Sequence, residues 1–408
     1  MGLSKLVGVA CVSLCVAACS SDSDGGSGSA GQSSGGSSGA AGQAGSAGAG
    51  GGAGSSGSGG SAGTSGSAGS SGSAGSSATL TPSCFQAPSP DMVIRYGDFF
   101  AESTWNDPQV LKQPDGSYVM YASASVSFTN PIIVRVYRLT SPDARNWTLN
   151  PMTPVLEASG TMESVETPSV VLFKGKYHLF VTTYTDQLDV TTYHIAQATS
   201  DDGVNFTLAN AALVAPTGDA YDFNGIIVGE PGAVVVGDEL FLYFTSVGVD
   251  STTMQSHQVI GLVTSGDGVT FSTPEVALRP DPALYPRGDG WIGFSTPFAA
   301  VIDGKVQLFT DVANDKHDDA HDADWLQVAL QLSVSEDGKS NFTQYPDPIF
   351  QRSDFSWTGR EIRSVAVLED TDRVRMWFAG DEIVSRDASG NLMFTPNVWG
   401  IGYAECVR

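Results

Sequence analysis

Four stretches decide the architecture: NDPQVL at 106–111, ETPSVVLF at 166–173, GEPGAVVV at 229–236 and STPFAAVI at 295–302. A fifth, IRSVAVL at 362–368, keeps the apolar run but lacks the proline. Each is a short β-branched or aromatic run behind a proline, the composition of a strand start. Positions 107, 167, 230, 296 and 363 head the five copies at intervals of 60, 63, 66 and 67 residues. Repetition at such a period marks a repeat architecture.

A second strand follows each first one after a turn: GSYVMYAS from Gly116, GKYHLFVT from Gly175, DELFLYFTS from Asp238, GKVQLFTD from Gly304 and DRVRMWFAG from Asp372. Third strands end at Ser141, Ser200, Ser265 and Ser335 and enter the turns SPDARNW, SDDGVNF, SGDGVTF and SEDGKSNF. A degenerate fifth turn, SRDASGNLMF, starts at Ser385. Asp and Gly at fixed places are what tight turns require. Four strands per unit, five units and almost no helical periodicity predict an all-β, five-bladed β-propeller with four-stranded blades over residues 84–408.

The 408 residues carry 20 Lys+Arg against 44 Asp+Glu, a net charge of −24. Binding to nucleic acid is excluded on this balance, because phosphate contacts need a basic surface. No apolar run reaches the roughly 18 residues of a spanning helix.

Residues 1–19 read as an export signal, with Lys5 before the apolar stretch Leu6 to Ala18. Val16-Ala17-Ala18-Cys19 resembles the lipobox of bacterial lipoproteins. That resemblance implies lipidation of Cys19 and a protein anchored at the bacterial cell envelope; ordinary secretory cleavage is the alternative. Residues 20–83, dominated by Gly, Ser and Ala, cannot bury a core and are expected to form a disordered tether. Its end-to-end distance would be roughly 40–45 Å. Of five cysteines, Cys84 and Cys406 remain in the predicted domain. Export permits a disulfide between them, worth roughly 5 kcal/mol at most by loop closure; two free thiols are the alternative.

The Ser-to-aromatic turns resemble the Asp-box of propeller enzymes such as sialidases, which implies a structural role. WNDP at 105–108 resembles the start of the first inner strand in the clan of glycoside hydrolase families 43, 62, 32 and 68. In family 43 that aspartate is the general base of an inverting hydrolysis; in family 32 it is the nucleophile of a retaining one. Gln109-Val110 stands where fructosidases carry Asn-Gly, so the resemblance to family 43 is the better one. It implies hydrolysis of pentose- or furanose-containing polysaccharides or oligosaccharides, arabinan- or xylan-like. The resemblance is one of architecture, with few matching residues.

In a propeller the residue ahead of each proline converges on one axial mouth. This brings together Asp107, Thr167, Glu230, Thr296 and, by position, Arg363, with Glu166, Arg360 and Glu361 adjacent. Acid–base hydrolysis requires one ionised carboxylate and one protonated carboxyl. Asp107 is the expected base. Glu230 and Glu166 are the two choices for the acid, the other then serving to tune it. These carboxylates could instead pair structurally with Arg287, Arg360 or Arg363. Trp105, Tyr184, Trp291 and Trp357 could stack on sugar rings or fill the space between blades.

The acidic segment 311–325, with His317 and His321, could hold a structural calcium ion or form a solvated loop. No metal ligand set is assigned and no cofactor is required. A carbohydrate is the expected partner of what is expected to be a monomer. The rival function is a non-catalytic carbohydrate-binding or purely structural surface lipoprotein.

Overall fold

The computed structural model describes residues 80–89, 91–126, 133–187, 189–316, 318, 325–382 and 398–408, with no account of the side chains of Glu382 and Val398. Cys19, the tether, His317, His321 and the turn at Ser385 therefore lie outside the described residues. Among the described residues no helix is long and apolar enough to cross a membrane.

The chain folds as successive antiparallel meanders. The first comprises β1 (Thr104–Lys112), β2 (Tyr118–Ser125), β3 (Arg135–Ser141) and β4 (Thr148–Leu149). The second comprises β5 (Ser164–Phe173), β6 (Lys176–Tyr184), β7 (His194–Ser200) and β8 (Thr207–Val214). A third runs through β9 (Ile227–Val236), β10 (Glu239–Val249), β11 (Ser256–Ser265) and β12 (Glu275–Leu278). A fourth follows in β13 (Trp291–Ile302), β14 (Lys305–Asn314) and β15 (Leu326–Ser335), which pairs with both β16 (Thr343–Gln344) and β17 (Phe350–Gln351). The last has β18 (Glu361–Glu369), β19 (Arg373–Glu382) and β20 (Val398–Val407).

Two features depart from separate four-stranded units. A single parallel pairing of Gln258 with Gly293 joins the third and fourth meanders into one nine-stranded sheet. It needs a glycine, because a Cβ on Gly293 would fall 1.7 Å from the Gln258 carbonyl oxygen. Among the described residues the last meander has three strands, and the chain's first described segment runs along β20 through bridges Gln86–Glu405 and Ile94–Ile401. The disulfide Cys84–Cys406 secures this closure, with Cα atoms 5.0 Å apart, within the usual range.

Neighbouring meanders pack face to face in cyclic order, the last against the first through β18 and β20 on β1. The hydrophobic clusters lie at these contacts. Val119, Val136, Leu179 and Val181 form one between the first and second meanders; Phe180, Val228, Leu242 and Phe244 form another between the second and third. Alternating residues along each strand supply both faces, as sheet-on-sheet packing requires.

The Ser-Asp turns tie the meanders together. In the turn after β7, Ser200 Oγ accepts from the Gly203 N–H, and the Asp202 carboxylate accepts from the N–H groups of Val204 and Asn205. Asp143, Asp267 and Asp337 do the same work in their turns. The carbonyl at the turn's left-handed residue then receives a bond from the preceding meander. Tyr121 donates to Gly203 at 2.6 Å, Gln197 to Gly268 at 2.8 Å, and Tyr243 to Gly338. Trp377 donates to Ala144 at 3.0 Å, linking the last meander to the first. These turns are structural clamps.

Candidate active site

Every inner strand carries a one-residue bulge. Pairing slips between Asn106 and Gln109, Glu166 and Ser169, Gly229 and Gly232, Ser295 and Phe298, and Arg363 and Val365. At the slip stand Asp107, Thr167, Glu230, Thr296 and Ser364, with φ of 50°, 51°, 51°, 44° and 52°. Left-handed backbone is unfavourable for such residues, and five in equivalent places form one repeated device that re-aims side chains. The fifth place belongs to Ser364, correcting the expectation for Arg363. Without a proline to mark the register, the sequence count slips by one. Arg363 pairs with Ala379 as Asn106 pairs with Ser123 and Glu166 with Thr182. Arg363 and Glu166 therefore share the position before the bulge.

Hydroxyls on second strands satisfy the bulge N–H groups. Ser123 Oγ accepts from Thr167 at 2.8 Å, Thr182 Oγ1 from Glu230 at 2.6 Å and Thr245 Oγ1 from Thr296 at 2.9 Å. Each bond crosses from one meander to the next. Asp107 differs: its N–H donates to Asn106 Oδ1 at 2.8 Å. Ala379, which occupies the place of those hydroxyls in β19, has none to offer.

The cluster gathers around Arg363, 1% exposed. Its Nη2 lies 2.5 Å from Glu230 Oε1 and 3.3 Å from Thr296 Oγ1. The Thr296 N–H donates to Glu230 Oε2 at 3.1 Å, so Glu230 is held on both oxygens. Asp107 Oδ1 accepts from Ser364 Oγ at 2.6 Å. Asp311 on β14 accepts from Ser295 and Thr296 hydroxyls at 3.1 and 3.3 Å. Glu166 Oε1 and Asp311 Oδ1 are both buried and have no hydrogen-bond partner among the described residues.

Burial pushes the carboxyls of Glu166, Asp107 and Asp311 in one direction, upward, against different opposing groups. Burial, then the charges of Asp107 and Glu230, push Glu166 up to about 8 against the pull of Arg363. Burial raises Asp107 as well, opposed by Arg363 and by the hydroxyls of Ser364 and Ser123. Asp311 rises to about 7, again through burial, with Arg363 opposing. For Arg363 burial works against the charge, but Glu230, Asp311 and Asp107 outweigh it and strengthen the guanidinium's hold on its proton. Low polarity with unlike neighbours is how one site keeps a protonated and an ionised carboxyl together.

The structure thus places Asp107, Glu166, Glu230 and Arg363 in one electrostatic cluster. Asp311 belongs to it too; it closes the predicted strand GKVQLFTD and opens the acidic run, and its register opposite Ser295 brings it inward. Arg360 is apart, paired with Asp381 at 3.0 Å, and Arg287 pairs with Asp315 at 2.5 Å. Trp105 is fully buried between Phe99 and Tyr137, its Nε1 donating to Ser103 and Asp98. Tyr184 is likewise interior, stacked on Tyr193 at 4.5 Å, and Trp357 stacks on Phe378. These three rings fill space between strands, so the expectation of sugar stacking by Trp105 and Tyr184 is corrected. Trp291 alone of the four is partly exposed. Among the described residues no group of three or more His, Cys, Asp or Glu side chains is arranged to hold a metal ion.

Residues 166–275 match the family model described as the glycosyl hydrolases family 32 N-terminal domain. The match spans β5 to the start of β12 and includes Glu166 and Glu230, but not Asp107. No curated protein sequence matches the chain. A solved structure titled a glycoside hydrolase is similar with TM-score 0.59 and 12% identity, covering 79% of this chain and 92% of its own. A thermostable family-43 glycoside hydrolase gives 0.52 and 16%, covering 74% and 90%. An N-acetylgalactosamine deacetylase from F. plautii gives 0.52 and 17%, covering 78% and 92%. At these identities the likeness is one of fold. The chain has an all-β, propeller-like fold similar to that of these solved glycoside hydrolases.

Proposed function

We propose that the chain is a five-bladed propeller glycoside hydrolase, each meander being one blade, with Glu166 as general acid and Asp107 as general base. The observation that carries this is the contrast between Glu166 and Glu230. Glu230 is tied to Arg363 and the Thr296 N–H and serves as the partner that fixes the guanidinium. Glu166 keeps an unpartnered oxygen and a raised pKa of about 8, so it holds a proton at neutral pH. A carboxyl in that state can protonate the departing glycosidic oxygen, while Asp107 takes a proton from the attacking water. The water's oxygen bonds to the anomeric carbon as the bond to the leaving oxygen breaks, which inverts the centre. Arg363 and Glu230 hold the electrostatics of the pair.

Substrates are pentose- or furanose-containing polysaccharides or oligosaccharides. The lipobox-like Cys19 and the Gly/Ser/Ala tether support display at a bacterial envelope, near the site of substrate. Turnover of aryl-arabinosides, aryl-xylosides and fructans by the full chain, with Asp107→Asn alongside, tests the reading.

One observation favours a second reading, non-catalytic carbohydrate binding. Asp107, Glu166 and Glu230 are only 5%, 1% and 1% exposed, and the Arg363–Glu230 pair could serve to stabilise the axis alone. Under that reading Asp107→Asn leaves ligand binding intact and there is no turnover to lose.

A further inference from the structure

A groove of about 730 Å³ opens beside the fourth meander, a volume suited to a ligand. Trp291, Tyr285, Asn314, Asp318, Gln351 and Arg352 are among its lining residues. Tyr285 stands edge-on to Trp291 at 5.5 Å and to Phe294 at 5.2 Å, which fixes the Trp291 ring at the rim. Arg352 donates to the Arg360 carbonyl at 3.1 Å and pairs with Asp318. Asn314 is held by the Asp289 carbonyl and the Lys316 N–H. A held aromatic ring and prearranged polar groups lining one groove suit a sugar ring, which has an apolar face and a hydroxyl edge.

Two chain segments lead from the groove's surroundings to the acid cluster. Trp291 opens β13, and five residues on lies Thr296, which binds Glu230. Arg360, whose carbonyl holds Arg352, stands three residues before Arg363. At about 3.3 Å per residue, five residues of strand span roughly 16 Å, the reach of a few linked sugars.

We propose that this groove is a remote subsite for a polysaccharide chain whose reactive end lies at the acid cluster, with Trp291 as its stacking platform. The inference rests on the hydrolase reading above and narrows it: the substrate is an extended chain, and short glycosides use the axial end alone. Binding measured without turnover separates the two claims.

The test is calorimetric titration of the full chain carrying Asp107→Asn, with arabinohexaose and xylohexaose against the matching disaccharides. One hexasaccharide is expected to bind at least tenfold more tightly than its disaccharide. Adding Trp291→Ala should abolish that difference while the disaccharide affinity stays put. Ser353→Trp, which places a bulky ring at the exposed wall of the groove, should do the same without removing a packed residue. Length dependence that survives both substitutions overturns the proposal, as does equal affinity for short and long chains. Length-dependent binding by a chain that turns over none of these sugars would retain the groove and remove the hydrolase.

Discussion

Arg363 Nη2 and Glu230 Oε1 lie 2.5 Å apart, both side chains 1% exposed, joining the last meander to the third. Burying two charges is expensive, and removing one strands the other. Arg363→Ala is therefore expected to destabilise the fold by about 3–5 kcal/mol. Arg363→Met combined with Glu230→Gln should recover much of that loss. Denaturant unfolding of the single and double variants measures the difference; equal losses in both would mean the pair is not what holds the axis.

Glu166 sets a pH dependence of stability with an unusual sign. Its ordinary value is 4.5 and its value in the fold about 8, so the native state keeps a proton that the unfolded chain releases. Stability from this group is full below pH 4.5 and is lost as pH rises toward 8. Asp311, raised from 3.8 to about 7, adds a loss in the same direction. The melting temperature should fall between pH 5 and 8, and Glu166→Gln should flatten that fall. An unchanged slope would remove Glu166 from the account.

The turn aspartates act in the opposite sense. Backbone N–H groups of Thr270 and Val269 hold Asp267 down at about 2, and Asp202 is lowered by Asn205 and Val204. Their contribution is present above pH 3.8 and is lost as pH drops below it. Asp202→Ala should lower the melting temperature, as loss of a capping carboxylate does, and leave any turnover unchanged. A drop in turnover at constant stability would assign the turn a functional part.

Closure of the last meander on the chain's start depends on Cys84–Cys406, 322 residues apart in sequence. Polar ties reinforce it: Asp370 accepts from Tyr118 and Arg375 at 2.8 and 2.6 Å and pairs with Lys112. Cys84→Ser with Cys406→Ser is expected to cost roughly 2–5 kcal/mol. Thermal unfolding with and without reductant should show the same shift for the parent and none for the double variant.

Much of the fold is legible in the chain because its signals are local. Proline-led apolar runs and Ser-Asp turns state strand starts and hairpins residue by residue, and the third strands end at the serines that open the turns. What escapes is long-range. Arg363 and Ser364 cannot be told apart in register without the pairing that places Ala379 opposite the former. Asp311 closes a predicted strand and opens an acidic run, and only the pairing of β14 with β13 brings it to the cluster. Trp105 and Tyr184 carry no mark distinguishing a ring that fills a core from one that meets a sugar; only packing decides. The choice between Glu166 and Glu230 turns on which one Arg363 reaches, a contact across 133 residues.

The measurement that bears most directly on the central claim is turnover of an arabinan, xylan or fructan panel by the full chain, its Asp107→Asn and its Glu166→Gln forms. Hydrolysis by the parent is expected, with activity declining above pH 8, where Glu166 gives up its proton. Both substitutions should lower kcat by about 10²-fold or more with folding intact. Parent-level turnover in either folded variant would contradict the assignment of Asp107 and Glu166 as base and acid.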